Sequence, residues 1–524
     1  MLTNKLFKSA LLGGAVLIAG SAFAQQDATQ ALLDLLVKKG LVTQQEAADL
    51  RAQAQANAAQ ANSAPQAAPM APAGMASAPS APAAPQPVIG GPSGYSSPLA
   101  FKIGSTTITP FGFLDMTGVY RTDLDGGGIG SSFGSIPYSN TASAQLSETR
   151  FSVQNSRIGL KADSTIGDWK VLGYYETDFL GNAPTNINVA SNSDTLRLRL
   201  YFVDLRNGPW EFLAGQSWSL MTPNRKGLSP LPGDIFYTQD MDTNYQVGLV
   251  WGRTPSLRAI YHATDEWTLG VAAENPDQYV GGAVVLPSNF TATQVDQGAN
   301  GTVTANTVPD MVAKVAFDTK FGDLPFHADL AGLYRRFEIN TFVPASGINS
   351  DASANGYGGS FNMIANVAPG FALVENAFMA KGGGRYESTG LGPDFIVTPP
   401  DANGVDQIRT VYSYAGMLGA EWDATPMSKF YAYYGQVHYG ADTAKYNGSF
   451  VGYGFTGSST SDNKLIEEYT LGLTQTLWKS PSAGDLKLLL QYSYLDRDPW
   501  YVAAGTPASA HLNMFYFDFR YDLP

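Results

Sequence analysis

The stretch Leu196-Arg197-Leu198-Arg199-Leu200-Tyr201-Phe202 decides how this chain is read. Leucines and Phe202 take the even positions, and Arg197, Arg199 and Tyr201 take the odd ones. Successive side chains of a β-strand point to opposite faces. A strand over 196–206 therefore has an apolar face and a face with two permanent positive charges, whereas a helix would wind the arginines through the leucines. The same pattern recurs along the chain. Ile158, Leu160 and Ala162 oppose Arg157, Gly159 and Lys161. Tyr412, Tyr414, Leu418, Ala420 and Trp422 oppose Ser413, Gly419, Glu421 and Asp423. Phe515, Phe517, Phe519 and Tyr521 oppose Tyr516, Asp518 and Arg520.

Working outward, sixteen such segments fit between residues 111 and 521. Short connections at 164–168, 207–210, 263–266, 319–325, 368–370, 424–428 and 478–485 alternate with long polar ones such as 121–150, 220–244, 275–310 and 338–355. The rhythm is strict only when 245–262 is one long or bulged strand despite Pro255, and splitting it leads to the alternative count of eighteen; 371–386 is a further expected strand. An even number of strands, short turns at one end and long loops at the other mark an outer-membrane barrel. A sequential meander of this length also loses its edges by closing on itself. The sequence thus predicts an all-β transmembrane barrel of sixteen antiparallel strands over 99–524. A secreted β-sandwich or β-solenoid explains the alternation but not the loop rhythm or the aromatic-rich last strand.

Composition agrees. Only 15% of the 524 residues are charged, against about 25% in a typical soluble protein. After the first 24 residues no apolar run reaches the ~18 residues of a membrane helix. Cysteine is absent, which excludes a disulfide scaffold and thiolate metal sites. The net charge of −13 argues against a nucleic-acid partner.

The N-terminal part reads as three pieces. Lys5 and Lys8, the apolar run 10–20 and Ala22-Phe23-Ala24 form a signal peptide over 1–24. Residues 25–62 carry a leucine-rich helical pattern with Lys38-Lys39-Gly40 at a helix end, then a capping box from Thr43 to Glu46. Two short helices cannot bury those leucines alone, so this periplasmic module is expected to self-associate as a coiled coil or helical hairpin. Residues 63–98, rich in Ala and Pro, form a semi-stiff linker.

The segments Arg157-Ile158-Gly159-Leu160-Lys161-Ala162, Leu196-Arg197-Leu198-Arg199-Leu200-Tyr201 and Leu213-Ala214-Gly215-Gln216-Ser217-Trp218-Ser219 resemble the DcaP-like porins and the phosphate-selective porins O and P. The resemblance covers about the first half of the barrel and the helical module. It implies a sixteen-stranded homotrimeric barrel in the outer membrane of a Gram-negative bacterium, a periplasmic coiled coil, and a preference for anionic solutes.

Catalytic signatures are weak. Gly130-Ser131-Ser132-Phe133-Gly134 has the G-x-S-x-G spacing but lies among glycines in a loop, without the strand and helix that a nucleophile elbow needs. The histidines His262, His327, His438 and His511 have no second ligand at zinc spacing. Glu467 and Glu468 are adjacent in a strand and so point apart. Asp123 and Asp125 lack the acidic twelfth-position ligand of a calcium loop. No cofactor is called for. The polar set above background is basic: Arg157, Lys161, Arg197, Arg199 and Arg258 share the inward parity, and Arg225 and Lys226 lie in a loop after the fifth strand that is placed to fold inward as a constriction. These are the candidate pore-lining and solute-binding residues. Pairing with Glu176 and Asp178, which merely braces the wall, is the competing reading. The function that follows is an outer-membrane diffusion porin for small hydrophilic solutes; its rival is a plugged barrel with a structural or surface-binding role.

Overall fold

The computed structural model describes residues 97–181, 195–236, 238–281, 283–290, 294–295, 306–387 and 391–524. The signal peptide, the helical module and all but the last two residues of the linker lie outside the described residues.

Sixteen strands form the wall: β1 (Thr106–Arg121), β2 (Arg157–Ile166), β3 (Trp169–Asp178), β4 (Arg197–Asn207), β5 (Trp210–Trp218), β6 (Arg253–His262), β7 (Trp267–Glu274), β8 (Asp310–Phe321), β9 (Leu324–Val343), β10 (Ile348–Ala368), β11 (Phe371–Lys381), β12 (Tyr412–Thr425), β13 (Ser428–Tyr439), β14 (Asn463–Ser480), β15 (Gly484–Pro499) and β16 (Ala510–Asp522). Each pairs antiparallel with its neighbours in sequence. The sheet closes where β1 meets β16, from Phe113 opposite Asp522 to Arg121 opposite Met514. Two short pieces extend the wall. Phe101–Ile103 pairs with the start of β1, and Glu148–Ser152 pairs with its end, above β2. The count is therefore sixteen, with two additions that are not further wall strands.

The outer face is apolar, with Leu160, Leu198, Leu257, Leu269, Leu330, Leu418, Leu471 and Phe519 exposed. Aromatic rings gather at its two ends. Trp169 and Phe212, Trp210 and Tyr261, Trp267 and Phe317, and Trp422 and Phe430 pair near the short turns. Tyr334 and Tyr357, Tyr434 and Tyr469, and Tyr492 and Phe515 pair near the long loops. Amphipathic rings at two levels are what a bilayer interface selects. The inner face is charged: Asp115, Arg157, Glu176, Arg199, Arg258, Lys314, Asp329, Arg335, Glu421, Glu468 and Arg520 are all buried.

Three expectations need correction. Residues 245–252 do not belong to a long strand; β6 starts at Arg253 and carries Pro255 as its third residue. The strand expected over 371–386 ends at Lys381, and a short 3-10 turn follows over Gly384–Tyr386. The loop expected at 338–355 is a hairpin, because β9 and β10 stay paired up to Val343 opposite Ile348. Its outward residues Asn349, Asp351, Ser353 and Asn355 are polar, so they resemble a loop. They alternate with inward residues all the same, as fits a wall that stands above the membrane with water outside it.

Candidate functional site on the inner wall

Strand β4 carries a fault that its leucine-arginine alternation hides. Glu176 of β3 lies opposite Leu200, yet Thr177 lies opposite Leu198, so Arg199 has no opposite number. This is a β-bulge, and it shifts the phase of everything after it. Leu198 faces out, whereas Leu200 is 0% exposed and Phe202 is also buried; Tyr201 is 60% exposed. The sequence reading that put Leu200 and Phe202 on the outer face with Leu198 is therefore corrected. Unbroken alternation would also have placed Asp204 on the apolar face, and the slip turns it inward. The Gln216 amide donates to the Leu198 and Arg199 carbonyls at 3.3 and 2.9 Å, which satisfies backbone acceptors at the fault.

The bulge delivers Arg199 between two carboxylates. Its Nη1 lies 3.0 Å from Asp178 Oδ2, and its Nε bonds Glu176 Oε1. Arg197 grips Asp178 two-pronged, with Nε to Oδ1 at 3.0 Å and Nη2 to Oδ2 at 2.7 Å. Arg157 of β2 stands 3.8 Å from Glu176 Oε1 and over the Phe113 ring. A fourth guanidinium joins from Arg253, which like Arg199 lies over the Trp218 ring. Its Nε and Nη1 are buried and have no hydrogen-bond acceptor among the described residues. Four fixed positive charges thus share two carboxylates. Arg253 was missed in the sequence because the one-strand reading of 245–262 gave it the parity opposite to Arg258. It is in fact the first residue of β6, beside the point where the chain leaves the lumen.

The other candidates separate from this group. Arg258 is buried and reaches the Trp218 carbonyl from the neighbouring strand. Lys161 is four residues from Arg157 toward the short-turn end and pairs with Asp163 at 3.3 Å. Arg225 is locked against Glu421 by two bonds of 3.0 and 2.6 Å, and Tyr433 donates to the same carboxylate at 2.9 Å. Lys226 is exposed. The basic set is therefore a cluster of Arg157, Arg197, Arg199 and Arg253, with Arg258 at its edge, and not a ladder that includes Lys161 and the loop pair.

The segment 219–252 after β5 does fold into the lumen, over a longer range than the expected 220–244. It touches much of the remaining wall. Asn224 N donates to Asp329 on β9 at 3.0 Å, and Val250 N to Asn376 on β11 at 2.8 Å. Gln239 N binds the Tyr433 hydroxyl on β13, Val247 N binds Glu468 on β14, and Met241 N binds Gln491 on β15. Tyr516 of β16 donates to Asp242 at 2.9 Å. Asp240, Asp242 and Glu468 are buried along this stretch. The crossing segment thus carries its own Asp240 and Asp242, with Glu468 of β14 buried beside them, while the arginine cluster lies on β2, β4 and β6. The loop 382–411 packs against it, with Val250 bridging to Glu387.

Residues 130–134 lie in a loop, as read from the sequence. Ser131 N and Ser132 N are bound by the carboxylates of Asp242 and Asp125, so the segment ties a rim loop to the crossing segment.

The closed wall, its sixteen sequential strands and its inward segment fix the comparison. The barrel is similar in fold to DcaP. The outer membrane channel DcaP of Acinetobacter baumannii superposes with a TM-score of 0.56 at 17% identity, over 81% of this chain and 99% of that one. An anion-selective porin from Comamonas acidovorans matches at 13% identity and a TM-score of 0.43, over 80% of this chain and 100% of that one. OprB of Pseudomonas putida matches at 12% and 0.42, over 79% and 94%. No protein-family model matches the chain, and no curated protein does. The likeness to DcaP establishes the sixteen-stranded barrel that the sequence resemblance implied.

Proposed function

We propose that the barrel is an outer-membrane diffusion channel for small hydrophilic solutes, narrowed by the segment 219–252 and biased toward anions. The short turns face the periplasm and the long loops face outward, as in bacterial barrels generally. Solutes cross down their gradient and are sorted by width and field. The observation that carries the bias is the Arg157–Arg197–Arg199–Arg253 group around Glu176 and Asp178. Most of its charge braces the wall, and Arg197, whose side chain keeps 16% of its surface exposed, presents the group to a passing anion. Low-dielectric walls focus that field, and a guanidinium grips carboxylate or phosphate two-pronged. Asp240 and Asp242 of the segment, with Glu468 of β14, supply the opposite charge, so a transverse field acts on a solute that passes between these acids and the arginines.

The test is a planar-bilayer recording in a salt gradient. Wild type is expected to show an anion-leaning reversal potential, and Arg197→Ala with Arg199→Ala should move it toward cations. A wild-type pore that is already cation-selective would refute the bias, and no conductance at all would favour a plugged barrel. The trimer, the periplasmic coiled coil and the signal peptide belong to the same proposal.

A further inference from the structure

A second cluster lies on the opposite face of the wall, at the long-loop end of β15 and β16. Asp496 and His511 are direct cross-strand partners, and their rows, Tyr492-Tyr494-Asp496 and His511-Asn513-Phe515, share the outward parity. His511 Nδ1 lies 3.3 Å from Asp496 Oδ2. Its Nε2 lies 3.1 Å from the Ser509 hydroxyl, in the connection just before β16. The imidazole therefore has the Tyr494 hydroxyl at 2.9 Å and the Asp496 carboxylate at 3.3 Å on one ring nitrogen, and a serine oxygen on the other. The His511 side chain is 51% exposed, so the serine–imidazole pair is open to a reactant. Asp496 is twelve residues from the short-turn end of β15, which puts it about 30 Å up a tilted strand. It stands just above the aromatic pair Tyr492 and Phe515, whose ring centroids are 4.9 Å apart. That is the depth of the outer-leaflet headgroups, where the ester bonds of membrane lipids lie.

We propose that Ser509, His511 and Asp496 form an acyl-ester hydrolase site on the lipid-facing rim, acting on esters of long-chain acids in the outer leaflet. Ser509 Oγ attacks the ester carbonyl carbon as His511 Nε2 takes the hydroxyl proton. The carbon–oxygen bond to the alcohol breaks, and His511 returns that proton to the departing alkoxide, which leaves as the deacylated lipid alcohol. Water, deprotonated by the same nitrogen, then attacks the acyl-serine and releases the fatty acid with Ser509 restored. Ser509 and His511 are the catalytic residues. Asp496 is a positioning residue: its charge, 3.3 Å from Nδ1, favours the ring tautomer with the proton there, which donates to the Tyr494 hydroxyl at 2.9 Å and leaves the Nε2 lone pair toward Ser509. A tyrosine donating there places the ring proton on Nε2 instead and removes the base. The proposal is independent of whether the lumen conducts.

The same acyl-ester chemistry is offered by glycerophospholipids and by acylated lipopolysaccharide, so the full-length protein is assayed in two sets of vesicles. One contains phosphatidylethanolamine and phosphatidylglycerol, and the other adds lipopolysaccharide. Fatty-acid release in either identifies the source. A fluorophosphonate probe should modify Ser509, as read by peptide mass spectrometry, and Ser509→Ala and His511→Ala should each lose labelling and at least ~10³-fold of the release. Asp496→Asn should lower kcat with KM unchanged, and Tyr494→Phe should retain or raise kcat. Each variant is first shown to fold by its unheated mobility on a detergent gel. No release from either vesicle, or equal release by wild type and Ser509→Ala, overturns the proposal.

Discussion

Arg197 and Arg199 are two positions apart and meet the same Asp178, yet they are held differently. Arg199 is wholly buried and also binds Glu176, whereas the Arg197 side chain keeps 16% of its surface exposed. Removing Arg199 leaves Glu176 with Arg157 at 3.8 Å and the Tyr174 hydroxyl, and breaking a buried pair costs up to about 3–5 kcal/mol. A partly solvated pair whose carboxylate keeps another guanidinium loses far less, about 1 kcal/mol. Arg199→Ala is therefore expected to lower the urea midpoint of the refolded barrel clearly, and Arg197→Ala only slightly. Equal midpoints for the two variants would show that the bulge does not set the difference. The inward arginines were legible because alternation fixes which face a residue takes. The bulge was not, because a one-residue slip leaves leucine and arginine still alternating. Its signs were Asp204 and Arg206, charges on what would otherwise be the lipid face. The rim triad was equally hidden. Asp496 precedes His511 by fifteen residues, and only the cross-strand register brings them together.

Among the elements, the crossing segment holds to the wall by backbone contact at glycines. A Cβ built on Gly435 of β13 would fall 1.7 Å from the Val247 carbonyl oxygen, and one on Gly248, whose φ is +89°, would fall 2.1 Å from the Gly416 oxygen. Glycine is what allows two backbones to approach so closely. Gly435→Val should push residues 246–248 off β13 while leaving the β13–β14 ladder intact. Bilayer recordings should then show a larger or noisier single-channel conductance with wild-type heat resistance. An unchanged conductance would mean that this part of the segment does not limit the passage. The sequence placed the inward loop correctly after the fifth strand but ended it too early. Tyr245, Val247, Leu249 and Trp251 alternate in sequence as a strand does, yet the chain turns at 242–245 and 246–249, with Tyr245 N on the Asp242 carbonyl and Leu249 N on the Gln246 carbonyl, and it is buried on both sides. Periodicity in sequence is therefore not membership of the wall.

For the whole molecule, the strand count survived these local errors because it rests on closure and loop rhythm rather than on any one boundary. A closed sheet has no frayed edge at which unfolding begins, so the unheated protein should run faster than the boiled one on a detergent gel and fractionate with the outer membrane. The N-terminal module makes a separate demand. Two short helices cannot bury its leucines alone, and the eight prolines from Pro65 to Pro92 are proposed to act as a semi-stiff spacer. If it is the oligomer's clasp, deleting residues 27–62 should leave the fast-migrating barrel band intact but shift the mass in mild detergent from trimer toward monomer. The outer face of the wall, apolar all round, would still sit in lipid without it. If the deletion abolished the barrel band instead, the module would be a part of the fold, and the reading of 63–98 as a free linker would fall with it. If mass and band were both unchanged, the wall itself would hold the protomers together. The leucines would then serve a periplasmic partner other than a second copy of this chain.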